Sequence, residues 1–385
     1  MLKGINFDFN GADTQYLTHS LHPYPAKFPP QLPKTILEKF AKKGDIVLDP
    51  FCGSGTTLVE ARLQNINAVG VDVNGLSCLL SEVKATPLTE KQISEINQFS
   101  NSIFNTSFNW KLGKRELIQV KEIESLAHWF QHNVSEEITF ILNEINKLID
   151  EKVKNFLKIV LSSIIVRVSN QDSDTRYAAK NKNIKDCYTL DTFAERLKEY
   201  EKRIIEFSQL VNGSTTLNIH NADSRNLDFI EPESIDLIIT SPPYANTYDY
   251  YLYHKFRKRW LDLDVSFAQY NEIGSRREFS SLKKNPQKWT EDLILCFIEM
   301  HKVLKQDGLA FIVIGDSVIA KKIIKIDEII KDISNEINFK VCEIISSDLA
   351  SHSRIFNPVF AQKGKKEHLI VLQKQWKKLE YTTNV

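Results

Sequence analysis

The stretch IDLIITSPPY, residues 235–244, decides the fold. Its first six residues form a short run that is mostly apolar and rich in β-branched side chains, which is typical of a buried parallel strand. Two prolines end the strand, because proline fixes its own φ at about −65° and restricts the preceding residue to extended conformations. We therefore expect a stiff turn at the carboxyl end of a strand, where open α/β sheets bind their ligands.

The turn offers chemistry for a planar group that carries an amine. Ser241 Oγ and the Pro242 carbonyl both accept hydrogen bonds, and the Tyr244 ring offers a stacking face. An exocyclic base amine is a poor nucleophile, and two acceptors aimed at its hydrogens favour the pyramidal form of the transition state. Such an amine then needs an activated methyl group held in line. The alternative is an ordinary proline loop.

A second motif, DPFCGSGTT at residues 49–57, lies far upstream between a strand pattern and a helix pattern. This arrangement lets the backbone approach a ligand at a helix N-terminus. It lacks the Gly-Lys-Ser/Thr of a phosphate loop and the three-glycine spacing of a dinucleotide site. A second strand, residues 68–72, ends in Asp72, which is well placed for ribose hydroxyls. We therefore expect a nucleoside-like ligand without a pyrophosphate.

Together the two motifs resemble the S-adenosylmethionine site and the catalytic motif of the DNA amino-methyltransferases, which methylate cytosine N4 or adenine N6. The resemblance covers roughly residues 15–88 and 213–375. It implies an α/β fold with a Rossmann-like, doubly wound, seven-stranded class I methyltransferase sheet. It also implies that the amine is handled by the catalytic residues Ser241, Pro242, Pro243 and Tyr244.

The resemblance further implies which residues hold the cofactor. Residues 22–28 would pack over its methionine end, Asp72 would bind its ribose, and Asp223 would accept from its adenine amino group. A solvated leader and a simple loop start are the alternatives for residues 22–28 and Asp223. The predicted cofactor residues are His22, Tyr24, Pro25, Lys27, Phe28, Asp49, Pro50, Phe51, Gly53, Ser54, Gly55, Thr56, Thr57, Asp72, Val73 and Asp223.

Composition sets limits on the function. The 385 residues are 42% apolar and 26% charged with a net charge of +1, so any DNA surface must be a local patch. Five cysteines without a Cys-x-x-Cys pair suggest neither a disulfide framework nor a zinc site, and we expect no metal. No Pro-Cys dipeptide, the nucleophile motif of cytosine-C5 methyltransferases, occurs. Because no long apolar segment occurs, we expect a cytoplasmic, nucleoid-associated protein.

Residues 89–212 interrupt the alternation of predicted strands and helices and divide the chain into two parts. Periodic apolar residues predict two or three helices over 134–168 and another over 192–211. We therefore expect a catalytic domain formed by residues 1–88 and 213–385, and a helical insertion, residues 89–212, as the candidate target-recognition region. Strand patterns resume at 216–219, 309–314 and 367–372, the last consistent with the antiparallel final strand of methyltransferase sheets.

Three polar stretches are candidates for contact with DNA. One is the loop at 167–177, with amide and guanidinium groups that suit base edges. Another runs from the aromatic and basic residues at 248–260 to residue 288, and the third is 351–358, placed near the target pocket by analogy. Solvated loops or a buried helix with a basic face are the alternatives. The candidate residues are Gln171, Arg176, Tyr177, Tyr248, Lys255, Arg257, Arg276, Arg277, His352 and Arg354.

We predict methylation of cytosine N4 in double-stranded DNA by base flipping, with a cognate restriction endonuclease as a candidate partner. Serine rather than aspartate at the first catalytic position is more frequent in the cytosine-N4 enzymes that the motif resembles. The alternatives are an adenine-N6 DNA methyltransferase, an RNA guanine-N2 methyltransferase with a similar glycine turn, and a non-catalytic, cofactor-sensing DNA-binding regulator. Binding without turnover would mark the regulator.

Overall fold

The computed structural model describes residues 2, 9, 11–115, 117–174, 176–211, 213–280, 286–319, 322–348 and 365–376. The predicted DNA contacts His352 and Arg354 lie outside the described residues. The strands are β1 Ile46–Asp49, β2 Asn67–Asp72, β3 Gln171–Ser173, β4 Arg176–Ala179, β5 Leu217–Asn221, β6 Ile235–Thr240, β7 Leu304–Gly315, β8 Ser317–Ile319, β9 Lys322–Ile324, β10 Phe339–Asp348 and β11 Lys366–Lys374. The α-helices are α1 Gln31–Phe40, α2 Thr56–Leu63, α3 Gly75–Ala85, α4 Glu90–Lys111, α5 His132–Lys147, α6 Glu151–Ile164, α7 Tyr188–Leu210, α8 Tyr250–Trp260, α9 Ser266–Asn271, α10 Arg276–Ser280, α11 Pro286–Val303 and α12 Ile326–Glu336.

A seven-stranded sheet in the order β10-β11-β7-β6-β1-β2-β5 forms the centre of the molecule. The pairs among β5, β2, β1, β6 and β7 are parallel, and β11 is antiparallel to both of its neighbours. The predicted fold class and the antiparallel final strand are confirmed. The chain builds outward from β1 to β5 and then returns to β6 beside β1. This β1–β6 boundary is the topological switch point, where ligands bind in doubly wound sheets.

The sheet is buried on both faces, which explains its nearly continuous apolar strands. Along β6, Leu237 and Ile239 belong to one hydrophobic cluster, and Ile238 between them belongs to the other. In β1, Val47 and Leu48 divide in the same way. Side chains alternate between the faces of a strand, so helices pack on each side and leave the carboxyl ends of the strands for the site.

The region between α3 and β5 is mainly helical, as predicted, and α4 to α7 lie in it. Thr89 and Gln92 form a reciprocal capping box that starts α4. Ile96 of α4 and Phe156 of α6 pack in the same cluster as Leu80 of α3. The predicted polar loop at 167–177 overlaps the short hairpin β3–β4, whose second strand continues to Ala179. The role of the insertion in target recognition stays a prediction.

None of the helices that the structure describes is both long enough and apolar enough to cross a membrane.

Candidate active site

The turn after β1 requires glycine at two positions. Gly53 and Gly55 have φ values of +50° and +78°, in the left-handed region that side chains disfavour. A Cβ atom at Gly55 would lie 2.9 Å from the backbone Cα of Ser81 on α3. The turn therefore packs directly against the next helix, and α2 begins immediately after it at Thr56.

Asp72, at the end of β2, holds this turn in place. Its Oδ2 accepts a hydrogen bond from the Gly53 amide at 2.9 Å, and its Oδ1 accepts from the Asn74 amide at 2.8 Å. Burial raises the pKa of Asp72 to about 6, although the two amides partly offset this effect. Each carboxylate oxygen has a second lone pair, so Asp72 keeps acceptor capacity for a ribose hydroxyl.

Asp49 joins the two predicted motifs at the switch point. This carboxylate is 1% exposed, and its Oδ1 accepts from Thr240 Oγ1 at 2.6 Å and from the Phe51 amide at 3.1 Å. Burial raises the pKa of Asp49 to about 6. Thr240 is the last residue of β6, so the bond fixes the carboxyl end of β1 beside that of β6.

The loop after β6 is anchored at its backbone. Trp289 Nε1 of α11 donates to the Pro243 carbonyl at 3.1 Å, and the Asn246 amide donates to the Gly274 carbonyl at 2.9 Å. No described residue donates a hydrogen bond to the Pro242 carbonyl. Within the described part of the chain, that carbonyl is therefore available as an acceptor at the end of the strand.

Both motifs line one open cleft of about 1010 Å³ at the carboxyl ends of the strands. The predicted site residues that line it are Tyr24, Lys27, Phe28, Asp49, Phe51, Gly53, Ser54, Thr56, Asp72, Val73, Asp223, Ser241, Pro242, Pro243, Tyr244 and Tyr248. The structure therefore brings together the glycine turn and the proline turn, which are far apart in the sequence. A methyl donor in one part of this cleft would face an acceptor in the other.

Several predicted cofactor residues do not line the cleft: His22, Pro25, Pro50, Gly55 and Thr57. The prediction of a direct cofactor contact is corrected for His22, which is 2% exposed and lies beneath its loop. Its Nε2 bonds with Ser162 Oγ of α6 at 2.9 Å, and burial, with Arg257 nearby, holds its pKa well below its ordinary value. Neutral His22 therefore fastens the loop to the insertion. The Pro50 carbonyl accepts from Ser224 Oγ, and Thr57 Oγ1 donates to the Ile239 carbonyl of β6 at 3.3 Å.

Asp223 lines the cleft, but its carboxylate already has a partner. Both of its oxygens face the Arg225 guanidinium, with Nε 3.0 Å from Oδ1 and Nη2 2.5 Å from Oδ2. Arg225 Nη1 also donates to Asp292 at 2.8 Å. This two-point pairing fixes the orientation of the Asp223 carboxylate. Its contact with the adenine of a cofactor stays a prediction.

Sequence reasoning missed part of the cleft wall. Tyr250 and Glu272 line it, and the Tyr24 ring stacks on Tyr250 with 5.8 Å between centroids. Glu272 Oε1 accepts from the Tyr250 amide at 2.7 Å and so caps α8 from a distant loop. Burial raises the pKa of Glu272 to about 8. The aromatic density at 248–253 was a signal for Tyr250, whereas Glu272 has no local signature.

Two predicted DNA contacts are corrected because they are buried. Gln171 is 1% exposed, and its Nε2 donates to the Ser173 carbonyl at 2.7 Å. Arg257 is also 1% exposed, and its guanidinium donates to the Ser162 carbonyl at 3.0 Å and pairs with Asp174. The side chains of both residues are committed inside the protein.

The remaining described candidates differ in exposure. Arg176, Arg276 and Arg277 are exposed, and Lys255 is half-buried. The half-buried Tyr177 ring packs on Trp129, with 4.7 Å between centroids. The three exposed arginines are therefore the best placed of these candidates to meet phosphate.

One cluster among the described residues has the composition of a metal site: Asp316, Asp327 and His368, with ligand atoms within 4.8 Å of one another. Asp316 already accepts from Lys325 Nζ at 3.0 Å and from the Ile326 and Lys366 amides at 3.1 Å. A lysine ammonium thus already neutralises this carboxylate, which does not fit a metal site. The expected lack of a metal stays a prediction.

Residues 8–81 and 235–384 match the N6/N4 family of DNA methylases. The chain belongs to this family. The prediction of an amino-methyltransferase of the restriction-modification type is confirmed, and membership supports S-adenosylmethionine as the methyl donor. The match omits residues 82–234, a range that includes α4 to α7.

Individual proteins of known type resemble the chain at below 30% sequence identity over long alignments. The chain is 27% identical over 386 residues to the Type II methyltransferase M.MjaII of Methanocaldococcus jannaschii, covering 77% of this chain and 72% of that relative. It is 29% identical over 273 residues to the Type II methyltransferase M.MvaI of Kocuria varians, covering 67% and 60%. A solved structure of TTHA0409, a putative DNA modification methylase from Thermus thermophilus complexed with S-adenosyl-L-methionine, is 18% identical with a TM-score of 0.26, covering 40% and 54%.

Proposed function

We propose that this protein transfers a methyl group from S-adenosylmethionine to the exocyclic N4 of a cytosine flipped out of double-stranded DNA. The observation that carries the proposal is the single cleft shared by the glycine turn and the proline turn. The Asp49–Thr240 hydrogen bond fixes the two strands from which these turns extend. A donor and an acceptor bound in this cleft would be held close to each other, which lowers the barrier to transfer.

The residues of the glycine-turn side fit the cofactor. Gly53 brings its backbone close to the ligand space, where an added Cβ would lie 3.4 Å from the Tyr24 ring. Asp72 would accept from the ribose hydroxyls, and Asp223 from the adenine amino group. When bound, S-adenosylmethionine supplies a methyl group activated by its sulfonium. The residues of this chain orient the methyl group toward the proline turn.

The proline-turn side would bind the amine. Ser241 Oγ and the Pro242 carbonyl accept its two hydrogens, which localises the nitrogen lone pair for attack on the methyl carbon. The sulfonium of the bound donor would give up its methyl group as the nitrogen held by these two acceptors bonds to it, and the methylated nitrogen would then lose one proton. The cleft is open to solvent, so water takes that proton. Tyr244 stacks on the flipped base.

DNA would contact the surface around the cleft. Exposed Arg276 and Arg277 of α10 lie three and four residues after Ile273 of the cleft wall, and they supply charge for phosphates. A shallow pocket of about 680 Å³ lies beside the β3–β4 hairpin and is lined by His128, Gln131, Asn170, Ala179, Asn181 and Asn183. Amide side chains pair with base edges, so this pocket supports target recognition by the insertion, residues 89–212. Nucleoid association and a partner endonuclease are part of the same proposal.

Serine at position 241 supports cytosine N4 over adenine N6, because serine rather than aspartate is more frequent at this position in the cytosine-N4 enzymes that the motif resembles. The match to DNA methylases favours DNA over RNA. The test uses S-adenosylmethionine with a trideuterated methyl group, duplex DNA and tRNA. Digestion and mass spectrometry should find the label in N4-methylcytosine from DNA.

Other outcomes would contradict parts of the proposal separately. Label in N6-methyladenine alone would overturn the choice of base and keep the transfer to an amine. Label in tRNA alone would overturn the choice of nucleic acid. Binding of cofactor and DNA without transfer would indicate a regulator.

A further inference from the structure

The ring of Tyr244 has an anchor that the catalytic motif does not contain. Its hydroxyl donates a hydrogen bond to Oε1 of Glu367 at 2.9 Å. Glu367 lies on β11, 123 positions further along the chain. Burial raises the pKa of Tyr244 well above its ordinary value, so the hydroxyl keeps its proton and remains the donor.

The backbone contacts of the proline turn leave the ring orientation undetermined. Trp289 fixes the Pro243 carbonyl, and Asn246 donates from its side chain to the Val318 carbonyl at 2.8 Å. These bonds hold the chain on both sides of Tyr244. The χ2 torsion of a tyrosine is broad, so a second contact at the far end of the ring is needed to hold its face in one plane.

β11 is a rigid support for that second contact. Glu367 is paired with Gly315 of β7 on one side and with Ser347 of β10 on the other. The residues next to it in sequence, Lys366 and His368, both hydrogen-bond to the Asp316 carboxylate. The backbone that carries the Glu367 carboxylate is therefore held between two neighbouring strands.

We propose that Glu367 is a positioning residue that fixes the Tyr244 ring for stacking on the flipped base. It acts through the phenol and does not touch the reacting atoms. The inference rests on the proposed methyl transfer and adds a component from the antiparallel strand. A loosened ring would stack on the base in several orientations, and the amine would then spend less time in line with the methyl group.

The test is a double-mutant cycle of Tyr244→Phe and Glu367→Ala, measured by single-turnover methylation of the duplex that the protein modifies. We expect Glu367→Ala to lose about ten-fold in rate, and Tyr244→Phe to lose at least as much, because it also removes the hydrogen bond between the Tyr244 hydroxyl and Ser241. The double variant should be no slower than Tyr244→Phe, since the carboxylate acts only through the phenol. Glu367→Gln should recover most of the rate, since its amide oxygen still accepts from the phenol. Cofactor affinity should stay unchanged in all four variants.

Glu343→Ala is the matched control. Glu343 lies on the neighbouring strand β10, and its Oε2 accepts from the Leu2 amide at 2.9 Å. Its removal should leave the rate and base flipping unchanged. Flipping is followed independently by the fluorescence of 2-aminopurine at the target position, which should fall in Tyr244→Phe and Glu367→Ala alike.

A double variant about ten-fold slower than Tyr244→Phe, a wild-type rate in Glu367→Ala, or no recovery in Glu367→Gln would overturn the inference. If Glu367→Ala does not fold, a comparison of Tyr244→Phe with Glu367→Gln still tests the inference. Of these two variants, only Tyr244→Phe should lose methylation rate and base flipping. A wild-type protein that methylates no DNA would instead contradict the proposed function.

Discussion

The two sides of the cleft are held in different ways. On the glycine-turn side, Asp72 binds the Gly53 amide, 19 positions away, within one strand-turn-helix-strand unit. On the proline-turn side, the anchors are Trp289 and Glu367, 46 and 123 positions from the residues they bind. The first side is a local unit of the chain, whereas the second exists only when the whole sheet is assembled.

This difference separates two kinds of expected defect. A change on the glycine-turn side should alter cofactor affinity and local stability. A change on the proline-turn side should alter the rate of transfer and leave cofactor affinity intact. Variants on each side of the cleft test whether cofactor affinity and transfer rate can be changed separately.

The largest effect is expected for Gly55→Ala. Alanine at a φ of +78°, with its Cβ 2.9 Å from a backbone atom, must displace either the turn or α3. We expect a loss of about 3 kcal/mol in the free energy of unfolding, measured by urea denaturation, together with weaker cofactor binding. Gly44→Ala is the matched control, since its φ is +95° but no atom lies within 4 Å of the added Cβ. An equal loss in both variants would show that packing against α3 contributes nothing.

Ser241→Ala should reduce the single-turnover rate by about 100-fold, because one acceptor for the amine is removed from a preorganised site. Cofactor affinity, measured by calorimetry, should remain that of the unmodified protein. Ser234→Ala serves as the control, since this half-buried serine precedes β6 at its amino end and its hydroxyl donates to the nearby Glu231 carbonyl. A loss of cofactor affinity in Ser241→Ala would contradict the division between the two sides.

Cofactor affinity should depend on the protonation of Asp72. Burial raises the pKa of Asp72 to about 6, and ribose hydroxyls need the ionised form as acceptor. The dissociation constant should therefore be constant above about pH 7 and rise about ten-fold as the pH falls to 5. Asp72→Asn should bind about ten-fold more weakly at pH 7.5 and lose most of this pH dependence. An unchanged pH profile in Asp72→Asn would assign the titration to another group, such as Asp49.

The smallest effect is expected for Arg276→Ala and Arg277→Ala. Each should weaken DNA binding about three-fold and reduce the slope of log affinity against log salt by about one, without changing cofactor affinity. Lys43→Ala is the control, because exposed Lys43 precedes β1 and lies at the opposite edge of the sheet from the cleft. Equal salt slopes in all variants would exclude this surface from the DNA path.

The local character of the glycine-turn side also explains what could be predicted from the sequence. A strand, a glycine turn, a helix and a second strand ending in Asp72 follow one another within 30 residues, so their periodicity and turn residues indicate the arrangement directly. The proline turn and β6 can likewise be predicted directly from their sequence. Recognition of both motifs was sufficient for the fold class and for the strands at the centre of the sheet.

The remaining features depend on tertiary contacts that leave no local pattern. Strand β10 was not predicted, and Glu272 and Glu367 are single carboxylates in unremarkable surroundings. Arg257 was predicted to contact DNA because it lies in a stretch where aromatic and basic residues alternate. Its burial depends on pairing with Asp174, 83 positions away, since a buried charge is tolerated only with such a partner.

The most direct test of the central claim is a crystal structure of the protein with sinefungin and its methylatable duplex. We expect the analogue to lie between the glycine turn and Asp72, with the amino group that replaces the transferable methyl about 3–3.5 Å from the amino nitrogen of a flipped base. That nitrogen should lie within hydrogen-bonding distance of Ser241 Oγ and the Pro242 carbonyl. An analogue bound outside this cleft, or a flipped base that does not reach the proline turn, would contradict the account.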